Sequence, residues 1–268
     1  MSVDCDRVFA SGRLAGITRY PDLEGRHVFI TGGGSGIGAY FTAAFALQGA
    51  RVSFLSTRPE PAQLLCDDVE EHTGIRPRFY RCDIRNLTQL RDALDQAVAD
   101  AGPIHVLLNN AARDTRHNLE SLSPEAFDDA INTNLRPQFF AIQAVAPDMA
   151  AAGGGAVINV GSNSANLALS GYPAYVTSKS AIIGMTRSLA RELGPDNIRV
   201  NALVPGWVMT ERQQRLWVTE EALQECIDEQ NLKFAIQGED VAESALFLAS
   251  QASRAISGQS LIIDGGRV

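Results

Sequence analysis

The feature that most restricts the fold of this chain is an alternation. Seven short apolar runs, 27–31, 51–56, 76–82, 104–110, 153–162, 198–205 and 260–266, read as strands. Segments of helical period lie between most of them, at 37–49, 60–73, 87–102, 123–149, 174–194 and 239–250. Short strands separated by helices of ten or more residues predict one parallel sheet with helices on both faces. Ser123-Pro124 supplies a capping hydroxyl and a proline at the first helical position, and that helix is expected to run unbroken to about Met149. Gly194-Pro195 is a stop signal for the helix that starts near Ala174. The segment 207–236 breaks the rhythm with charged and Gln residues and reads as a small helical excursion, a candidate lid. Residues 1–24, mixed and polar, read as an N-terminal extension lying on the surface or on a partner subunit. With 45% hydrophobic and 20% charged residues in 268, no internal repeat and no linker, residues 25–268 are expected to form a single doubly wound α/β domain around one sizeable core.

Charge and cysteines narrow the function classes. The formal charge of −8, from 31 acidic and 23 basic side chains, opposes a nucleic acid or an anionic bilayer as main partner. No run of about 18 apolar residues suggests a membrane span. Cys5, Cys66, Cys82 and Cys226 are far apart and form no C-x-x-C pair, which predicts neither a disulfide framework nor a zinc site. No metal is expected, and the cytoplasm is the expected compartment. The opening MSVDCDRVFASG has no basic-then-apolar pattern of a secretory signal.

The first strand runs into Thr31-Gly32-Gly33-Gly34-Ser35-Gly36-Ile37-Gly38 and then directly into a helix. A pyrophosphate suits that place, because backbone N–H groups and the helix dipole favour negative charge there, and glycine lets the backbone turn tightly and approach closely. Gly32, Ser35, Gly36, Ile37 and Gly38 are therefore candidate dinucleotide contacts. The Lys-Ser/Thr ending of an NTPase loop is absent. At the end of the second strand, where an acid usually binds the adenosine ribose, stand Ser56, Thr57 and Arg58. A hydroxyl and a guanidinium suit a 2′-phosphate, so NADP is expected ahead of NAD.

Tyr175 and Lys179 are four apart near the start of one helix and share a face. An ammonium beside a phenol favours phenolate and would bring a group of ordinary pKa about 10 toward neutrality. Ser162, at the end of the preceding strand, would hydrogen-bond a reacting oxygen.

In these residues the chain resembles the short-chain dehydrogenase/reductase family. The resemblance is carried by TGGGSGIG (31–38), Asn109-Asn110-Ala111, Asn134 in NTNLR, Ser162, the Tyr175-Val176-Thr177-Ser178-Lys179 box, Pro205-Gly206 and Asp264-Gly265-Gly266. It covers about residues 24–268 and implies a Rossmann-type fold. It also implies a catalytic tetrad of Asn134, Ser162, Tyr175 and Lys179, in which Tyr is the acid/base, Ser orients the substrate oxygen, Lys binds the nicotinamide ribose and lowers the Tyr pKa, and Asn134 holds a relay water. Asp83, with Ile84, would lie at the adenine, Asn110 along the cofactor, and Thr210, with Val208, at the carboxamide. A homotetramer built on the helices at 124–150 and 174–193 and the C-terminal strand is implied too. Two positions depart from the pattern: Ala112 stands where glycine usually follows Asn-Asn-Ala, and Ser56 replaces the acid.

The substrate side is expected to be polar. Arg113-Asp114-Thr115-Arg116-His117-Asn118 and Asn163-Ser164-Ala165-Asn166 both border it, and hydrogen-bonding walls suit a sugar better than a steroid or an acyl chain. Asp114-Thr115-Arg116-His117, Asn134-Leu135-Arg136 and QAVAPDM (143–149) are similar to bacterial aldose 1-dehydrogenases of the D-xylose type. Ser162, Ser164, Tyr175 and Trp207 are the candidate substrate contacts, and oxidation of an anomeric hydroxyl to a lactone is the leading expectation. His117, without a second His or acid at metal spacing, reads as a hydrogen-bonding histidine. The alternatives are an enzyme acting on a sugar acid or a 3-oxoacyl thioester, and a nucleotide-sensing protein without chemistry.

Overall fold

The computed structural model describes residues 8–268; Cys5 and the start of the N-terminal extension lie outside that range. The strands are β1 (His27–Thr31), β2 (Arg51–Ser56), β3 (Arg78–Arg81), β4 (Val106–Asn109), β5 (Gly155–Val160), β6 (Ile198–Pro205) and β7 (Ser260–Ile263). They form one sheet in the order β3-β2-β1-β4-β5-β6-β7, and every neighbouring pair is parallel. β1 and β4 are buried along their whole length, as continuous apolar runs in a two-sided sheet must be.

The helices are α1 (Ile37–Leu47), α2 (Pro59–Thr73), α3 (Leu87–Ala101), α4 (Pro124–Asn134), α5 (Arg136–Ala151), α6 (Pro173–Leu193), α7 (Glu211–Leu216), α8 (Glu220–Glu229) and α9 (Gly238–Ala249). Alternating side chains sort them onto two faces. Val28 and Ile30 of β1 and Phe54 of β2 pack with α1, α2 and α9. Phe29 and Leu55, one residue along on the same strands, pack with α3 and α5, and the C-terminal part of α6 packs on that side. Fully burying each such side chain contributes about 1.5–3 kcal/mol. The strand order reverses between β1 and β4, which leaves a crevice at their carboxyl ends; Thr31 and Asn109 are in register there.

Two expectations are corrected. The helix foreseen over 123–149 is broken: α4 ends at Asn134, and Leu135 leaves the helical region at φ −123° and ψ −57°. Pro137 explains the break, since it has no N–H to give the Thr133 carbonyl and its ring would collide with that carbonyl in a continuous helix. The described part of the N-terminal segment also does more than lie on the surface. Val8, Leu14, Ile17 and Leu23 are buried in the core on the α1–α9 side. Thr18 N donates to Glu243 at 2.8 Å, Tyr20 N to Gln48 at 2.8 Å and Gln251 N to Asp22 at 2.8 Å. Those four apolar residues follow no regular period, so no helix or strand signal announced their burial. Among the described residues no helix is long and apolar enough to cross a membrane.

Candidate active site

The crevice opens into a cleft of about 1090 Å³. At one end lies the glycine turn. Gly32 and Gly36 have φ of +67° and +57°, which a side chain would strain. A Cβ on Gly38 would sit 2.1 Å from the Gly32 carbonyl and 2.7 Å from Asn110 Nδ2, whereas one on Gly36 would meet no protein atom. Gly38 thus lets α1 seat against the end of β1, behind the cleft, and Gly36 presents its open face to it. No side chain caps α1 and no acid stands in its first turn. Asn110 Nδ2 donates to the Thr31 and Gly32 carbonyls, each at 3.1 Å, and the backbone N–H groups of Asn110 and Ala111 donate to Thr31 Oγ1 at 2.9 and 3.0 Å. These bonds hold β4's exit against the turn.

Ser56, Arg58, Asp83 and Ile84 line the same end. Ser56 Oγ accepts from the Arg58 N–H at 3.2 Å, and Arg58 is exposed. Asp83 is bound by Arg85 at 2.6 Å, which holds its carboxyl below the ordinary range. Arg85 also reaches Asp129 at 3.0 Å, and Asp129 pairs with Arg113.

The other end carries Ser162, Ser164, Tyr175, Lys179, Trp207, Val208 and Thr210. Ser162 follows β5, and its Oγ lies 2.9 Å from Ser164 Oγ. Tyr175 is in the first turn of α6. Lys179, one turn on, is fully buried; its Nζ donates to the Val160 carbonyl at 2.7 Å and lies 5.5 Å from the Tyr175 ring centroid. Burial pulls the Lys179 ammonium down to about 7, against the field of Asp114. Burial pushes the Tyr175 phenol above its ordinary 10, the bond with Ser162 works in the opposite direction, and Asp114 raises it further. The expected lowering of the phenol by the ammonium is therefore not what the protein alone produces: desolvation dominates, and Nζ is turned to a carbonyl over the ring face.

Asn134 stands apart from the cleft. It is buried at the end of α4, where its Oδ1 accepts from Arg113 N at 2.7 Å and its Nδ2 donates to Arg113 O at 3.1 Å and Ala130 O at 3.0 Å. Its neighbour Thr133 lines the cleft, with a buried hydroxyl that has no protein partner. Thr210 caps α7, its Oγ1 accepting from Gln213 N, and Trp207 Nε1 donates to Gln213 Oε1 at 3.0 Å.

The loop after β4 is expected from the sequence to be polar and to border the substrate side. Here Asp114 lies at the cleft with Arg212 Nη1 at 2.7 Å and Gln213 Nε2 at 3.3 Å, and Arg116 stacks over Tyr172 at 3.9 Å and Trp217 at 5.0 Å. Arg212 and Gln213 were not singled out; partners almost a hundred residues away leave no signal in spacing. His117 Nε2 accepts from Ala174 N at 3.2 Å, which leaves Nδ1 to donate to the Thr115 carbonyl at 3.0 Å. It is the hydrogen-bonding histidine expected, and it caps the start of α6. Among the described residues no group of three His, Cys, Asp or Glu is placed to hold a metal.

A family model described as enoyl-(acyl carrier protein) reductase matches residues 32–267. A probable galactose dehydrogenase of Rhizobium meliloti is 49% identical over 93% of this chain and 97% of its own. The D-xylose 1-dehydrogenase of Caulobacter vibrioides is 47% identical over 92% and 97%. The chain belongs to the short-chain dehydrogenase/reductase family. The gluconate 5-dehydrogenase of Burkholderia cenocepacia, solved in complex with NADP and tartrate, superposes with a TM-score of 0.85 at 29% identity, over 92% of this chain and 97% of that one. As a short-chain dehydrogenase/reductase the protein is a nicotinamide-dependent oxidoreductase of CH–OH groups.

Proposed function

We propose that the protein is an aldose 1-dehydrogenase that oxidises the anomeric hydroxyl of a small sugar to a lactone, with NADP favoured over NAD. The observation that carries this reading is the convergence of Ser162, Tyr175 and Lys179 at one end of the cleft, where Asp114, Arg116, Ser164 and Gln213 add hydrogen-bonding side chains to the wall. The two relatives sharing nearly half of its residues are named for galactose and D-xylose.

The cleft fits a dinucleotide: a Cβ on Gly36 would meet no protein atom, and no side chain caps the N-terminus of α1. Gly32, Ser35, Gly36 and Ile37 would hold the pyrophosphate, with Gly38 seating the helix behind them. Asp83 and Ile84 would hold the adenine, Asn110 would lie along the cofactor, and Val208 and Thr210 would hold the carboxamide. Ser56 and Arg58 would take the 2′-phosphate; Arg58 has no carboxylate partner among the described residues, and a neighbour of similar fold was solved with NADP. A nicotinamide bound there would supply the acceptor for the hydride leaving C1.

Ser162 donates to the substrate oxygen and orients it. Tyr175, as phenolate, takes the C1 hydroxyl proton. Its pKa must fall for that, and an ammonium at Lys179 redirected from the Val160 carbonyl supplies the field. Asn134 would act at one remove, holding the Arg113 end of the substrate loop, since its side chain is spent on the Arg113 backbone and the Ala130 carbonyl. Ser164 and Trp207 border the sugar, and 207–236 acts as the lid. Exposed Phe127, Phe139 and Phe140 on α4 and α5 support a homotetramer through these helices, and the three described cysteines, all free thiols, support a cytoplasmic location.

The test follows reduced-nicotinamide absorbance over a panel of aldoses with each cofactor. An aldose should reduce NADP, and Tyr175→Phe should lose nearly all turnover while keeping cofactor affinity. If no aldose reduces either cofactor while a 3-oxoacyl thioester is turned over, the sugar reading fails.

A further inference from the structure

We infer that Asp114 is a specificity-determining residue whose carboxylate accepts hydrogen bonds from a sugar hydroxyl near the reacting carbon, so that the site selects neutral polyhydroxy substrates and disfavours carboxylated ones. This rests on the aldose reading and names the group that recognises the substrate.

The loop that carries Asp114 is pinned on both sides of it. Asn134 binds both the N–H and the carbonyl of Arg113. At the far end, His117 N donates to Gly171 O at 2.8 Å, and the His117 ring accepts from Ala174 N at 3.2 Å, next to Tyr175. Arg116, between them, lies flat on Tyr172. The stretch is therefore fixed relative to the reacting phenol, as a recognition group must be.

The carboxylate itself is only 14% exposed and lines the cleft with Ser162, Ser164 and Tyr175. Its negative charge is felt by both the Tyr175 phenol and the Lys179 ammonium, which puts it at the reactive end rather than the adenine end. Arg212 and Gln213 use one direction on each oxygen, and the Asp114 N–H takes a third. A carboxylate offers about four acceptor directions, so capacity for a ligand remains. Hydroxyls are donors, and bonds to an ionised acceptor are short and strong. A substrate carboxylate would bring like charge to the same place. Asp114 thus accounts for chemistry that Tyr175 and Ser162 do not: they address one oxygen, and a sugar carries several.

The experiment uses the full-length enzyme with NADP, the best aldose of the panel, its monodeoxy analogues and its uronic acid. In the wild type, removal of one particular hydroxyl should lower kcat/KM about ten- to a hundredfold, the range for a bond to a charged group, and the uronic acid should be a poorer substrate than the aldose. Asp114→Asn should lose a similar factor on the aldose, mostly in KM, while the penalty for that missing hydroxyl shrinks to within about threefold and the uronic acid gains relative to the aldose. Arg212→Ala, which breaks the ion pair but keeps the carboxylate, should retain the deoxy penalty. The inference is overturned if Asp114→Asn keeps the deoxy pattern of the wild type, or if Arg212→Ala removes that pattern as Asp114→Asn does, which would make Asp114 a staple for the lid. Should Asp114→Asn not fold or not bind NADP, the wild-type series decides alone: no monodeoxy penalty beyond about threefold overturns the inference. No turnover of any aldose by the wild type overturns the aldose reading itself and, with it, the inference.

Discussion

Lys179 should make the protein less stable than it could be. Its side chain is fully buried, its ammonium has one carbonyl for a partner, and burial holds its pKa at about 7 against the ordinary 10.5. At about 1.4 kcal/mol per pH unit this corresponds to a cost of about 5 kcal/mol whenever the unfolded chain is free to keep its proton. Lys179→Met removes that cost and fills most of the space. It forfeits the bond to Val160 and leaves that carbonyl bare, about 1–3 kcal/mol in the other direction. The variant should therefore be more stable than the wild type by about 2–4 kcal/mol near pH 6, or roughly 5–10 °C in Tm for a chain of this size, while losing turnover. The gain must depend on pH. Between about 7 and 10.5 the unfolded lysine binds a proton that the folded one has released, so the wild type gains stability as pH rises through that window. The advantage of the variant should shrink accordingly and be nearly gone above the ordinary lysine pKa. Thermal unfolding of both proteins, without cofactor, at about pH 6, 8 and 10 measures this. A variant no more stable at the lowest pH, or a gain that stays constant across the series, would refute the reasoning that desolvation governs this lysine.

Arg58→Ala should raise the Kd for NADP about tenfold or more and leave that for NAD nearly unchanged, since only a 2′-phosphate engages the guanidinium; equal effects in a fluorescence titration remove Arg58 from that site. His27 is buried at the start of β1, between the Gly102 carbonyl at 2.7 Å and Ser53 Oγ at 2.9 Å, and burial lowers its pKa from 6.5 to about 4. Unfolded His27 takes up its proton first as pH falls through that window, so about 3 kcal/mol of stability should be lost between pH 6.5 and 4. His27→Gln should lack that part of the acid slope in urea unfolding, and an unchanged slope would count against the account.

Much of the fold was legible because local chemistry repeats along the chain. β1 and β6 begin and end where their apolar runs do, Ser123 caps α4 through Ala126 N, and Gly194 closes α6. The break at Leu135 was written in the sequence by Pro137 alone, against an apolar period that continues across it. The glycine turn and the Tyr-Lys pair are local spacings, and the structure places both at one cleft. Asn134 also matches its motif by local spacing, yet its side chain turns out to be engaged with Arg113.

What the sequence determined by itself is whatever is written over a few residues: strands, helices, the glycine turn, and a phenol and an amine on one helical face. Tertiary structure alone decided the electrostatics and the walls of the substrate end. Whether Tyr175 is easier or harder to ionise depends on how much water the fold leaves around it, and burial raises it. Whether Asp114 is a solvated surface charge or a held acceptor depends on Arg212 and Gln213, which only folding brings to it. Pattern carries information over one helical turn or one strand pleat; desolvation and long-range charge pairing are summed over everything packed nearby, and no short stretch of chain contains that sum.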